Sequence, residues 1–136
     1  MQKINLYFTR AFGTQYHFIQ SLRTYMAERN INLFVVVSHP DSSSLSLLAA
    51  DLPLLEPHYD AAQNIDFYKQ TCLDHSIDCL IPGESSLITI AKHQIYFYNN
   101  GVRVMSCSDL ETLKILQKLP IILIMLDIFI KVWVYS

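Results

Sequence analysis

Apolar and polar positions change period several times along this chain, and each change marks an element. Residues 4–8 read Ile-Asn-Leu-Tyr-Phe, a compact apolar run too short for a helix and rich in strand formers. It ends in Thr9-Arg10-Ala11-Phe12-Gly13, and Gly13 is one of only three glycines, so its place in a tight connection carries information. A helical period follows. Phe18, Ile19, Leu22, Tyr25 and Met26 share one face, and Gln20, Arg23, Thr24 and Glu28 lie off it. Thr14 is the expected N-cap. Residues 32–37, Asn-Leu-Phe-Val-Val-Val, then read as a strand buried on both faces, as in a parallel sheet covered by helices. Strand, glycine turn, amphipathic helix, strand is a β-α-β unit.

The scheme repeats downstream. Ser38-His39-Pro40-Asp41 is a turn, and a serine-rich stretch leads into a short helical segment at 45–50. Residues 52–55, Leu-Pro-Leu-Leu, form a third, weaker strand; Pro53 cannot donate a ladder hydrogen bond, which places this strand at a sheet edge. Glu56-Pro57-His58 closes it. Asn64 is the expected N-cap of a helix to about His75, with Ile65, Tyr68 and Cys72 inward. A fourth strand at 77–81 ends at Pro82-Gly83-Glu84-Ser85. One helix is then expected over 86–97, its apolar stripe made by Leu87, Ile88, Ala91 and Ile95, and Asn99-Asn100-Gly101 ends it. Residues 102–105 are a fifth strand. Ser108-Asp109-Leu110-Glu111 is a capping box opening a helix that carries Leu110, Leu113 and Leu116.

Five strands alternating with helices predict an α/β fold: a three-layer, doubly wound, parallel sheet in the order 3-2-1-4-5, Rossmann-like, with right-handed crossovers. In such sheets ligands bind beyond the carboxyl ends of the strands. Here those ends are residues 10–13, 39–41, 56–58, 82–86 and 106–108, where the polar and conformationally special residues concentrate.

From Leu119 the pattern changes. LPIILIMLDIFIKVWVYS has no turn residue after Pro120, and its longest uninterrupted apolar run is 121–126 before Asp127 and Lys131 intervene. A spanning helix wants roughly 20 mostly apolar residues, so the expectation is against a membrane. The chain divides into a domain at 1–118 and an atypical hydrophobic tail at 119–136.

Composition narrows the field. A length of 136 residues suits one domain with a real core. The formal net charge is −2 with no basic block, which argues against nucleic acid, because phosphate neutralisation needs clustered Lys and Arg. Three cysteines, at 72, 79 and 107, fit no paired disulfide framework and suggest a reducing compartment. With no signal peptide visible, the cytoplasm is the expected location.

The candidate chemistry is sparse. G-x-G-x-x-G is absent, which argues against a nicotinamide or flavin cofactor; a G-x-S-x-G elbow and a Walker-type phosphate loop are absent too. Gly13 with Arg10 reads either as a first βα turn offering backbone N–H groups and a cation to an anion, or as a plain turn with a solvated arginine. Glu84 sits where a carboxylate can meet a substrate amine, although charge compensation at a helix start accounts for it slightly better. Cys72, His75 and Cys79 have a metal-like spacing but fall on a helix core face and a buried strand, so we read the cysteines as structural and assign no metal site. Arg10, Gly13, Glu84 and Ser85 are expected to line one cleft, because strands 1 and 4 flank the point where the winding reverses. An arginine and a glutamate facing it suit a small amino-acid-like or carboxylate substrate. No catalytic residue is assigned.

Several stretches, taken in order, carry a resemblance. They are the strand–turn–helix at 4–29, the Ala49-Ala50-Asp51 step before the edge strand, Ile77-Asp78-Cys79-Leu80-Ile81-Pro82 with Glu84 following, and Gly101-Val102-x-Val104-x-Ser106-x-Ser108 running through Glu111 to Lys118. Together they resemble the N-terminal Rossmann-like domain that precedes the ATP-grasp fold in carboxylate–amine ligases and carbamoyl-phosphate-synthase-like enzymes. In that family such a run ends in a lysine that opens the ATP-grasp domain, and Gln117-Lys118 occupies that place. The resemblance covers 3–118. It implies ATP and magnesium for the full-length family, held by lysines and a Glu/Asn set in two later subdomains. Only 18 residues follow Lys118, and they do not look like that domain's start. No cofactor is therefore expected in this chain, and a truncated or frameshifted gene, or an isolated fragment, would account for the tail.

Two readings follow. The first is the substrate-side domain of an ATP-dependent carboxylate–amine ligase, inactive by itself. The second is a stand-alone α/β small-ligand-binding module whose hydrophobic C-terminal segment serves as an anchor or joins copies into a homo-oligomer.

Overall fold

A computed structural model describes residues 2–11, 13 and 15–105, apart from the side chain of Glu84. The N-cap expected at Thr14, the strand end at 106–108, the helix after Ser108 and the tail at 119–136 lie outside the described residues. Within them the order is β1 (Gln2–Thr9), α1 (Gln15–Ala27), β2 (Ile31–His39), a 3-10 turn (Leu45–Ala49), β3 (Leu52–Leu55), a second 3-10 turn (Ala61–Asn64), α2 (Ile65–Asp74), β4 (Cys79–Pro82), α3 (Glu84–Lys92), α4 (Gln94–Asn99) and β5 (Arg103–Val104). All four strand pairings are parallel, in the order β3-β2-β1-β4-β5. This is the α/β Rossmann-like sheet the periodicity predicts, with β3 and its Pro53 at an edge.

The centre of the sheet is β1 beside β2, in register from Gln2 opposite Ile31 to Thr9 opposite Ser38. Side chains alternate between faces along a strand, so each strand feeds two cores. Ile4, Leu6, Phe8, Val35, Val37, Cys79 and Ile81 pack on one side with Ile19, Leu22 and Met26 of α1. Tyr7, Val36 and Leu80 pack on the other with Tyr68 and Cys72 of α2, Ile90 of α3 and Phe97 of α4. Two aspartates set the register of the flanking strands in the same way. Asp51, just before β3, accepts the Val35 N–H at 2.8 Å and returns its own N–H to the Val35 carbonyl. Asp78, just before β4, does the same with Asn5. Each aspartate thus satisfies a central strand where its neighbour begins, where a backbone donor would otherwise be unpaired. Asp51 also takes Arg23 of α1 at 2.9 Å, so an arginine expected off the apolar face ties α1 to the sheet.

Several boundaries shift from expectation. The fourth and fifth strands are shorter, Cys79–Pro82 and Arg103–Val104. The helix expected at 45–50 is a 3-10 turn. Asn64 precedes α2 but makes no side-chain cap, because its amide is drawn to Glu56 and the Pro57 carbonyl. The single helix expected over 86–97 is two helices, which meet at His93. The break turns the helix face: Ile90 and Phe97 are fully buried, whereas Ile88 and Ile95 of the expected stripe are exposed. Gly101, at φ +78°, closes α4 in the left-handed conformation as the sequence suggests.

No helix among the described residues is long and apolar enough to cross a membrane.

Candidate functional site

At the carboxyl edge of the sheet, the turns after β1 and β4 touch. The Gly83 N–H donates to the Thr9 carbonyl at 2.6 Å, and a Cβ on Gly83 would lie 2.1 Å from the Arg10 carbonyl oxygen. Only glycine allows that approach. At Gly13 a Cβ would meet no more than ordinary contact, 3.5 Å from Leu45 Cβ. The demanding glycine of this edge is therefore Gly83, not Gly13, and the left-handed residue of the first turn is Arg10 itself, at φ +48°. A non-glycine residue in that region is strained and stays there only when its surroundings hold it.

What holds it is a buried polar cluster. Arg10 N–H bonds the Ser38 carbonyl at the end of β2. The arginine side chain then reaches over that strand end to Glu56, which follows β3; Nε donates to Oε1 at 2.9 Å, and Nη2 donates to the Tyr59 carbonyl. Side-chain exposure is 11% for Arg10 and zero for Glu56. Tyr68 OH of α2 donates to the same Oε1 at 2.6 Å, and Asn64 Nδ2 at 3.2 Å. Ser38 Oγ donates to Oε2 at 2.8 Å. With its proton so used, Ser38 is left to accept from Tyr7 OH at 2.7 Å. The Glu56 carboxylate thus has four donors from four elements or their ends. Its charge is compensated by Arg10, as a carboxylate removed from water requires.

The electrostatics follow from burial and this one charge. Burial drives the Tyr7 phenol well above its ordinary range, against the opposing hydrogen bond with Ser38. Tyr68 is raised as well, by burial and then by its bond to Glu56. Desolvation lowers the basicity of Arg10 more than any single partner raises it, but the bond to Glu56, together with the influence of Tyr68 and the Glu56 charge, leaves it raised. Both tyrosines are therefore protonated donors in this cluster at neutral pH. Burial pushes the thiols of Cys72 and Cys79 up to about 12, so neither is a nucleophile under ordinary conditions.

Glu84 opens α3, and the exposed Ser85 follows it; Ser86, one residue on, is buried and bonds Thr9 Oγ1 at 2.8 Å. Arg10, Gly13, Glu84 and Ser85 therefore share the edge where β1 and β4 end. The guanidinium of Arg10, however, turns toward β3 and pairs with Glu56, so it is not the solvated group of the plainer sequence reading. Glu56, Ser38, Tyr7 and Tyr68 are the participants that sequence reasoning missed. The available signal was slight: a lone acid closing an edge strand, and a tyrosine amid the apolar run of β1. Among the described residues no three His, Cys, Asp or Glu side chains are placed to hold a metal ion.

No protein-family model matches the sequence, and no curated protein matches it. Among solved structures, the chain is similar to the biotin carboxylase domain of a single-chain bacterial carboxylase, with a TM-score of 0.54 and 14% identity over 74% of this chain. The match spans 23% of that protein. At this identity the likeness is one of fold.

Proposed function

We propose that this chain is the N-terminal, substrate-side domain of an ATP-grasp protein of the carboxylate–amine ligase type, catalytically incomplete by itself. The observation that carries the reading is the parallel sheet in the order 3-2-1-4-5, together with its likeness to part of a biotin carboxylase domain, an ATP-grasp enzyme. The ordered motifs from residue 3 to 118 lend support from the sequence. In this reading the carboxyl edge of β1 and β4 is one wall of a substrate site. Arg10 has a fork of five N–H donors, of which Glu56 and the Tyr59 carbonyl take two. The fixed guanidinium receives the carboxylate of a small amino-acid-like ligand. Glu84 receives its amine end, and Gly13 and Ser85 border it at the starts of α1 and α3.

Magnesium and ATP belong to the subdomains that follow in the family. ATP supplies the energy for joining carboxylate to amine, and no acidic cluster among the described residues fits its metal. The task of this domain is to bind and orient. Translating the DNA beyond codon 118 in all three frames tests the reading. A lysine-containing nucleotide segment followed by a Glu/Asn metal set is the expected result. If no frame carries one, the stand-alone binding module replaces it.

A further inference from the structure

The break between α3 and α4 leaves an apolar surface uncovered. Ile88 is 69% exposed, Ile95 78% and Tyr98 76%, all on the outer side of these two helices. Ile95 and Tyr98 line an open groove of about 400 Å³ together with Ala91, Lys92 and Gln94, and Ile88 lies one helical turn before Ala91 and Lys92. The arrangement is built, because His93 ends one helix and starts the next, directing Ile90 and Phe97 inward and leaving Ile88 and Ile95 outward, with Leu87 and Ala91 half-buried. Large apolar side chains lining an open groove are the kind of surface that soluble proteins cover.

We propose that this groove is the docking surface for the chain's own carboxyl-terminal segment, residues 121–134. That segment is the one stretch of the sequence whose apolar character has no use within the predicted sheet, and only Asp127 and Lys131 interrupt it. The described chain ends at Met105, directly after β5, and β5 packs against α4. The intervening residues 106–120 can reach about 50 Å when extended, more than the roughly 30 Å breadth of a small domain, so the groove is within range. Tethering raises the effective concentration of segment at groove to about the millimolar level, ahead of any second copy at micromolar concentration. Lys92 lines the groove and offers a partner to Asp127, the only acid of residues 119–136, while Lys131 lies four positions further along the segment. Docking covers two apolar surfaces at once, and the inference holds whether or not the chain is a ligase domain.

A photo-crosslinker in place of Tyr98 tests it in the full chain at low micromolar concentration. Adducts within one chain, at monomer mass and mapping to 121–134, are expected. Adducts only at dimer mass would make the groove an interface between copies, and adducts that avoid the tail would leave another occupant; either overturns the proposal. A second variant is Ile95→Asp, which changes an exposed side chain and leaves the circular dichroism intact. Loss of one apolar contact should raise tryptic cleavage after Lys131 about tenfold. An unchanged cleavage rate would overturn the proposal as well.

Discussion

The two faces of the sheet are built from the same strands, yet they solve different problems. Toward α1 the sheet presents Ile4, Leu6, Phe8, Val35, Val37, Cys79 and Ile81, an uninterrupted apolar surface. Toward α2, α3 and α4 it presents Tyr7, Val36 and Leu80, then turns polar at the carboxyl edge, where Thr9 meets Ser86, Tyr7 meets Ser38, and Ser38 meets Glu56. Apart from the Arg23–Asp51 tie at its margin, the first face holds the fold by packing, which is tolerant of detail so long as volume is kept. The second adds to its apolar core one carboxylate whose donors must all be in place, and half-satisfied networks of that kind are worse than none. The difference teaches where the molecule has invested in geometry. The strained Arg10 and the close pass of Gly83 lie at the same edge as that carboxylate.

The largest expected effect comes from breaking the polar face. Glu56→Ala leaves a partly buried arginine without its counter-charge and strips the acceptor from Tyr68, Asn64 and Ser38. Urea denaturation should show a loss of roughly 3–5 kcal/mol; a loss below about 1 kcal/mol would mean that the cluster is relaxed in water. Moving a hydroxyl between faces sharpens the contrast. Phe8→Tyr puts an oxygen into the apolar face and should cost roughly 1–3 kcal/mol, whereas Tyr7→Phe, which spares the Ser38–Glu56 bond, should cost about 0.5–1.5 kcal/mol. Equal losses would erase the distinction drawn above.

The smallest effect concerns His93 at the helix break. Burial, and then the nearby Lys69, lower its pKa in the folded chain below the ordinary value of 6.5. The folded state then binds fewer protons than the unfolded one, so stability declines as pH falls through about 6.5 and levels off below the folded-state value. An NMR titration midpoint under 6.5, and a flatter acid limb in His93→Gln, are the expected outcomes. A midpoint at or above 6.5 would show the break to be open to water.

The sheet was legible from the sequence for a simple reason. Burial on both faces writes nearly continuous apolar runs at residues 4–8, broken only by Asn5, and 33–37, and a proline at 53 consigns its strand to an edge. These are local consequences of hydrogen bonding and water exclusion, and they determined the strands, their order and the edge where polar residues collect. Periodicity failed at residues 86–97, because a stripe of Leu87, Ile88, Ala91 and Ile95 is consistent with one helix, and nothing local marks the break at His93. Tertiary packing decided that Ile90 and Phe97, not Ile88 and Ile95, face the core. It also decided the fate of Arg10. Along the chain Arg10 and Glu56 are 46 positions apart, and each alone reads as a surface charge at a strand end. Only the parallel order β3-β2-β1 brings those ends side by side, and only removal from water makes their pairing obligatory, since an isolated charge there could not be buried.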